Sequence, residues 1–147
     1  MQDGIWGPKS QAAFNALLTV KDPDTGWHKT TATSFADSGD LARFVKCKAT
    51  GKSDHECFRV GDNAIGLWGD KTSDGTGPCC ALPSSAWHDY YNEARKKLVL
   101  VRVGDRTVTC ELRDTSGSRD VVDLNPDACK MLGLTIPVKE PAMWRWA

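Results

Sequence analysis

Neither sign of charge is in excess. Nineteen Lys and Arg balance nineteen Asp and Glu, so the basic surplus that announces a nucleic-acid or anionic-membrane binder is missing and the expected partner is not a polyanion. Long apolar runs are also missing: Lys97-Leu98-Val99-Leu100-Val101 is far short of the roughly 18 residues that span a bilayer, and no membrane insertion is expected. The opening Met1-Gln2-Asp3-Gly4 lacks the charged and apolar regions of a secretory signal. Either Met1 is a true start and export is signal-independent, or an upstream part has been cut away. Finally, there is no Cys-x-x-Cys pair and no His-x-x-x-His pair, so the spacing of a structural zinc site is absent and neither metal nor cofactor is expected.

What is present is the composition of a globular domain. With 147 residues, 40% hydrophobic and 26% charged, the chain amounts to one domain with a small appendage and is not disordered. Six cysteines, Cys47, Cys57, Cys79, Cys80, Cys110 and Cys129, form an even set that suits an oxidising destination, with fifteen complete pairings open. Cys80 and His88 lie eight residues apart with Pro83 between them, which provides no nucleophile geometry; disulfide or buried thiol is the better account of Cys80.

The chain divides into residues 1–20, a turn and short helix; 21–29, a polar linker; and 30–147, the main domain. Gly7-Pro8 places proline at a first helical position, and Phe14, Leu17 and Leu18 follow at helical spacing. In the main domain a strand is expected over 30–35. A helix capped by Ser38 follows, with Leu41, Phe44 and Val45 on one face, and Ser53 and Glu56 have capping-box spacing. Residues 61–77 hold five glycines and three aspartates, a stretch suited to loops around a site. Pro83 and Ser84 open a short helix carrying Trp87, Tyr90 and Tyr91. Strands are expected over 98–103 and 107–112 about the turn Gly104-Asp105, then over 121–124. Asn125 caps, Pro126 starts and Gly133 ends a helix, and 134–138 is expected as the final strand.

Two stretches carry family resemblances. Asp3-Gly4-Ile5-Trp6-Gly7-Pro8-Lys9-Ser10-Gln11-Ala12-Ala13-Phe14 resembles the last segment of the peptidoglycan-binding domain found beside bacterial wall hydrolases. Val108-Thr109-Cys110-Glu111-Leu112-Arg113-Asp114, then Asp120-Val121-Val122-Asp123-Leu124-Asn125-Pro126-Asp127-Ala128, then Leu132-Gly133 resemble the double-psi β-barrel shared by rare lipoprotein A, expansins and barwin-like endoglucanases. Thr33-Ser34-Phe35-Ala36-Asp37 and Ala81-Leu82-Pro83 add to it. The resemblance implies a mainly β fold, a six-stranded double-psi β-barrel with short decorating helices and an N-terminal helix.

It also implies site residues. Asp114 and Asp123 match aspartates that line the polysaccharide groove of expansins. Asp123 falls at the proton donor of barwin-like endoglucanases, and Asp37 is the candidate for their base. Such chemistry needs one protonated acid for the leaving oxygen and one ionised base, whereas a lytic transglycosylase manages with one acid/base residue, for which Asp114 is the choice. Each aspartate also has a structural reading: Asp123 as a backbone hydrogen-bond acceptor, Asp114 as an Asx turn, Asp37 as a helix N-cap. The chain departs from rare lipoprotein A where Pro78-Cys79-Cys80 replaces the segment bearing the active-site His. Asp70 is a candidate second acid, and Trp68, in the glycine-rich stretch, a candidate sugar-stacking residue. Together these imply a monomeric bacterial or phage wall protein, in the periplasm, cell wall or extracellular space. It would bind peptidoglycan or a related polysaccharide and cleave its glycan strands as a lytic transglycosylase or endolysin-like hydrolase. The alternative is a non-catalytic, expansin-like binding module.

Overall fold

The computed structural model describes residues 26–147. The expected N-terminal turn and helix, with the peptidoglycan-binding motif, and the linker up to residue 25 lie outside the described residues. The rest is a closed β-barrel. Its strands are β1 (His28–Ser34), β2 (Cys79–Pro83), β3 (Leu98–Val103), β4 (Arg106–Gly117), β5 (Val121–Leu124) and β6 (Lys139–Trp146), in the order β1-β5-β2-β4-β3-β6 with β6 returning to β1. The pairs β1–β5 and β2–β4 are parallel; the other neighbours are antiparallel. Closure leaves no free sheet edge. The period-2 pattern decides which side chains fill the interior: Val99, Val101 and Val103 of β3 meet Val108, Cys110 and Leu112 of β4, all buried. Leu82, Val122, Leu124 and Trp144 complete this core.

The local signals are realised where turn or cap chemistry is self-contained. Gly104 takes φ +62° in the β3–β4 hairpin. Helix α1 (Ser38–Ala49) and helix α2 (Asp54–Cys57) are joined by the Cys47–Cys57 disulfide, and Ser53 and Glu56 form the reciprocal capping box. After the short α3 (Tyr91–Ala94), α4 (Pro126–Met131) starts on Pro126 and is capped by Asn125, with Gly133 at φ +69° beyond it.

Asn125 does more than cap. Its side chain accepts from Ala128 and Cys79 N–H groups at 3.0 Å and donates to the Thr72 and Gly77 carbonyls at 3.0 and 2.9 Å. One fully buried amide therefore pins the glycine-rich stretch to the barrel.

Two expectations are corrected, and one strand appears that no expectation covered. The cap of α1 is Asp37, not Ser38: its carboxylate reaches the Asp40 N–H at 3.3 Å, while Asp40 answers to the Ala36 N–H at 2.8 Å. Residues 79–83 form a strand, because parallel pairing with β4 and antiparallel pairing with β5 hold all five residues in the interior. The last strand is Lys139–Trp146 rather than 134–138; only there does the chain pair with both β1 and β3 and close the barrel.

Candidate functional site

The site grows out of the loop between α2 and β2. The disulfide fixes Cys57 to α1, and the chain then folds back across that helix. Arg43 Nε donates to the Val60 carbonyl at 2.9 Å, and the Asp62 N–H donates to the Asp40 carbonyl at 3.2 Å. The Phe44 and Phe58 rings meet at 5.0 Å. Gly61 lies so close to the Asp40 carbonyl and the Phe44 N–H that no side chain could replace its hydrogen. Farther on, Gly66 packs directly on the Arg113 carbonyl, which accepts from the Leu67 N–H at 3.1 Å. The loop is thus clamped at one end to α1 and at the other to β4, immediately before Asp114.

Between this loop and the barrel runs a groove of about 1020 Å³. Phe58, Val60, Ile65 and Leu67 give it an apolar wall and are 48%, 50%, 50% and 39% exposed, a concentration that marks a contact surface rather than scattered surface residues. The opposite side is the end of β4, Asp123 of β5, and Arg119 between them.

Four carboxylates line it, Asp40, Asp62, Asp114 and Asp123, and the last three are raised. Asp114 is pushed up to about 7 by burial, against the pull of the Thr115 N–H at 2.8 Å, and the charges of Asp62 and Asp123 raise it further. Asp62 is pushed up to about 6, again mainly by burial, with Asp40 and Asp123 adding to it and the Ala64 N–H at 2.8 Å opposing. Asp123 is 8% exposed and raised by burial, opposed by the Thr33 hydroxyl at 2.8 Å and Arg119 Nη2 at 3.5 Å. The arrangement therefore holds protonated and ionised carboxyls together near neutral pH, the condition for acid/base work.

Of the residues singled out from sequence, the groove brings together Asp114 and Asp123. Asp37 serves as the N-cap of α1 and is not among the lining residues. Asp70 is gripped by Arg95 at 2.8 and 3.0 Å, which holds its carboxyl below the usual range. It borders a separate cavity of about 300 Å³ beside Lys71, Lys96, Glu111 and Arg113. Trp68 packs against Trp87 and Tyr91 at 5.4 and 5.5 Å and is likewise not a lining residue. Asp62 was not singled out; its only sequence signal is its place in the glycine-rich stretch.

Cys79, Cys80, Cys110 and Cys129 are buried free thiols. Burial pushes Cys79 and Cys129 up to about 12, while Cys80 is raised by its contact with Cys110 and by burial. With His88 Nδ1 turned to the Asp89 carboxylate at 2.8 Å, a thiolate nucleophile at Cys80 has no support. Among the described residues no group of three or more His, Cys, Asp or Glu is arranged to hold a metal ion, and no helix is long and apolar enough to cross a membrane.

No protein-family description matches the chain, and no curated protein does. Solved structures do. An expansin of Clavibacter michiganensis, as a point mutant in complex with cellohexaose and in its apo form, superposes with a TM-score of 0.52 at 14% identity over 82% of this chain and 50% of that one. The chain thus spans about half the length of these expansins. The Streptomyces papain inhibitor superposes with a TM-score of 0.51 at 19% identity, over 82% of this chain and 94% of that one. The likeness is one of fold: the closed six-stranded barrel is a double-psi β-barrel.

Proposed function

We propose that this chain acts on the glycan strands of peptidoglycan, cleaving a glycosidic bond in the groove with Asp114 as the acid. The observation that carries the reading is a carboxyl raised to about 7 that lines an open groove together with the exposed apolar residues Phe58, Val60, Ile65 and Leu67. At neutral pH such a group is protonated about half the time and can donate to a leaving glycosidic oxygen. Asp123, more deeply placed and tied to Thr33 and Arg119, supports it by disfavouring charge on Asp114. The wall polymer comes from the resemblance of residues 3–14, and a periplasmic, wall or extracellular setting agrees with it and with the Cys47–Cys57 disulfide.

A second reading is favoured by the fold shared with the expansin solved with cellohexaose: the groove binds polysaccharide without cleaving it, the carboxyls gripping sugar hydroxyls. Incubating purified sacculi with the protein and its Asp114→Asn variant separates the two. Soluble saccharides released by the wild type and not by the variant support cleavage. Co-sedimentation without release moves the conclusion to the binding module, and neither release nor co-sedimentation refutes both.

A further inference from the structure

Sequence resemblance directs the search for a base to the aspartate after β1, yet Asp37 is engaged in capping α1. Asp62 also lines the groove, and the contacts of its loop fix its place. Asp62 stands between two clamps: the Gly61 contact and Asp62 N–H···O=C Asp40 bond on one side, and the Gly66 and Leu67 contacts with the Arg113 carbonyl on the other. Those contacts tie the Asp62 loop to α1 and to the residue preceding Asp114. The charged groups that face Asp62 are Asp40 from α1, Asp114 from β4 and Asp123 from β5, with His55 of α2, Arg59 and Arg119 along the same groove.

We infer that Asp62 is the general base of this groove, orienting and deprotonating a water, and that the reaction is therefore hydrolysis rather than one-carboxylate transglycosylation. The inference rests on the glycan-cleaving reading of the groove. In the step, Asp62 takes one proton from water, the water oxygen bonds to the anomeric carbon, and the glycosidic C–O bond breaks. Asp114 gives its proton to the departing oxygen. One water is consumed per bond and a new reducing end appears; an anhydro-sugar would require the sugar's own hydroxyl to replace the water.

The test uses Asp62→Asn, which keeps the shape of the side chain and its capacity to accept the Ala64 N–H. Sacculi are digested in ¹⁸O-water with a borohydride quench, and rates are followed from pH 4 to pH 9. The expected result is ¹⁸O-labelled reducing ends from the wild type and a loss of kcat of about 10²- to 10⁴-fold in the variant. The acidic limb of the pH profile should vanish with little change in KM. Thermal unfolding should show no loss of stability in the variant, since a merely structural Asp62 would lose stability and keep its pH profile.

Anhydro-sugar products, or a variant with wild-type rate and profile, overturn the assignment while leaving cleavage by Asp114 standing. Absence of any product from the wild type overturns the glycan-cleaving reading and this assignment with it.

Discussion

Replacing Asp114 by Asn should make the protein more stable at alkaline pH and no more stable in acid. An ordinary aspartate titrates near 3.8, and in the folded chain Asp114 is raised to about 7. Between those values the folded state holds a proton that the unfolded chain has released. Stability therefore falls as pH rises through this window, with the penalty absent below about pH 4 and complete above about pH 7. At 1.36 kcal/mol per pH unit, the penalty is about 4 kcal/mol. Asp62, raised to about 6, titrates in the same window, so the wild-type slope belongs to the pair. Asn keeps the outline of the side chain and can still accept the Thr115 N–H. At pH 8 the variant should gain about 2–4 kcal/mol, which for a chain of this size corresponds to a Tm rise of roughly 5–15 °C. Urea unfolding followed by tryptophan fluorescence at several pH values from 4 to 8 measures it. An Asp114→Asn protein no more stable than wild type at pH 8, or stabilised equally at pH 4, would refute the reasoning.

Other exchanges probe the supports of the site. Cys57→Ser opens a link spanning ten residues and should cost about 2–3 kcal/mol; thermal unfolding should then no longer respond to a reducing agent. Asn125→Ala strands two N–H groups and two carbonyls of the buried junction and should cost about 3–5 kcal/mol in chemical denaturation. Gly66→Ala drives a methyl into the Arg113 carbonyl. It should cost at least about 2 kcal/mol, and limited proteolysis should show the loop lifted from β4.

How far these features were legible depends on how local their causes are. The Gly104 hairpin, the Ser53–Glu56 box and the Asn125-Pro126 start of α4 are written within a few residues, and each formed as read. Strand β2 is not written that way. Its five residues are all interior, so alternation is absent, and its pairing partners β4 and β5 lie about 30 to 45 residues farther along the chain. The same applies to β6, whose place is decided by closure against β1 and β3. Asp114 and Asp123 stand out because they sit on β4 and β5 within a recognisable pattern. Asp62 does not, because its position depends on the Cys47–Cys57 disulfide and on contacts of Gly61 and Asp62 with Asp40 and Phe44, partners that lie well back in the chain on α1.

The most direct test of the central claim is an NMR titration of the ¹⁵N-labelled protein with a soluble tetrasaccharide of alternating N-acetylglucosamine and N-acetylmuramic acid, using the Asp114→Asn variant to prevent turnover. Saturable shifts are expected only in the groove, at Asp62, Leu67, Ser116 and Gly117, and none around Asp70 and Lys96 of the smaller cavity. No saturable shift, or shifts centred on Asp70 or on Trp68 and Tyr91, would contradict it.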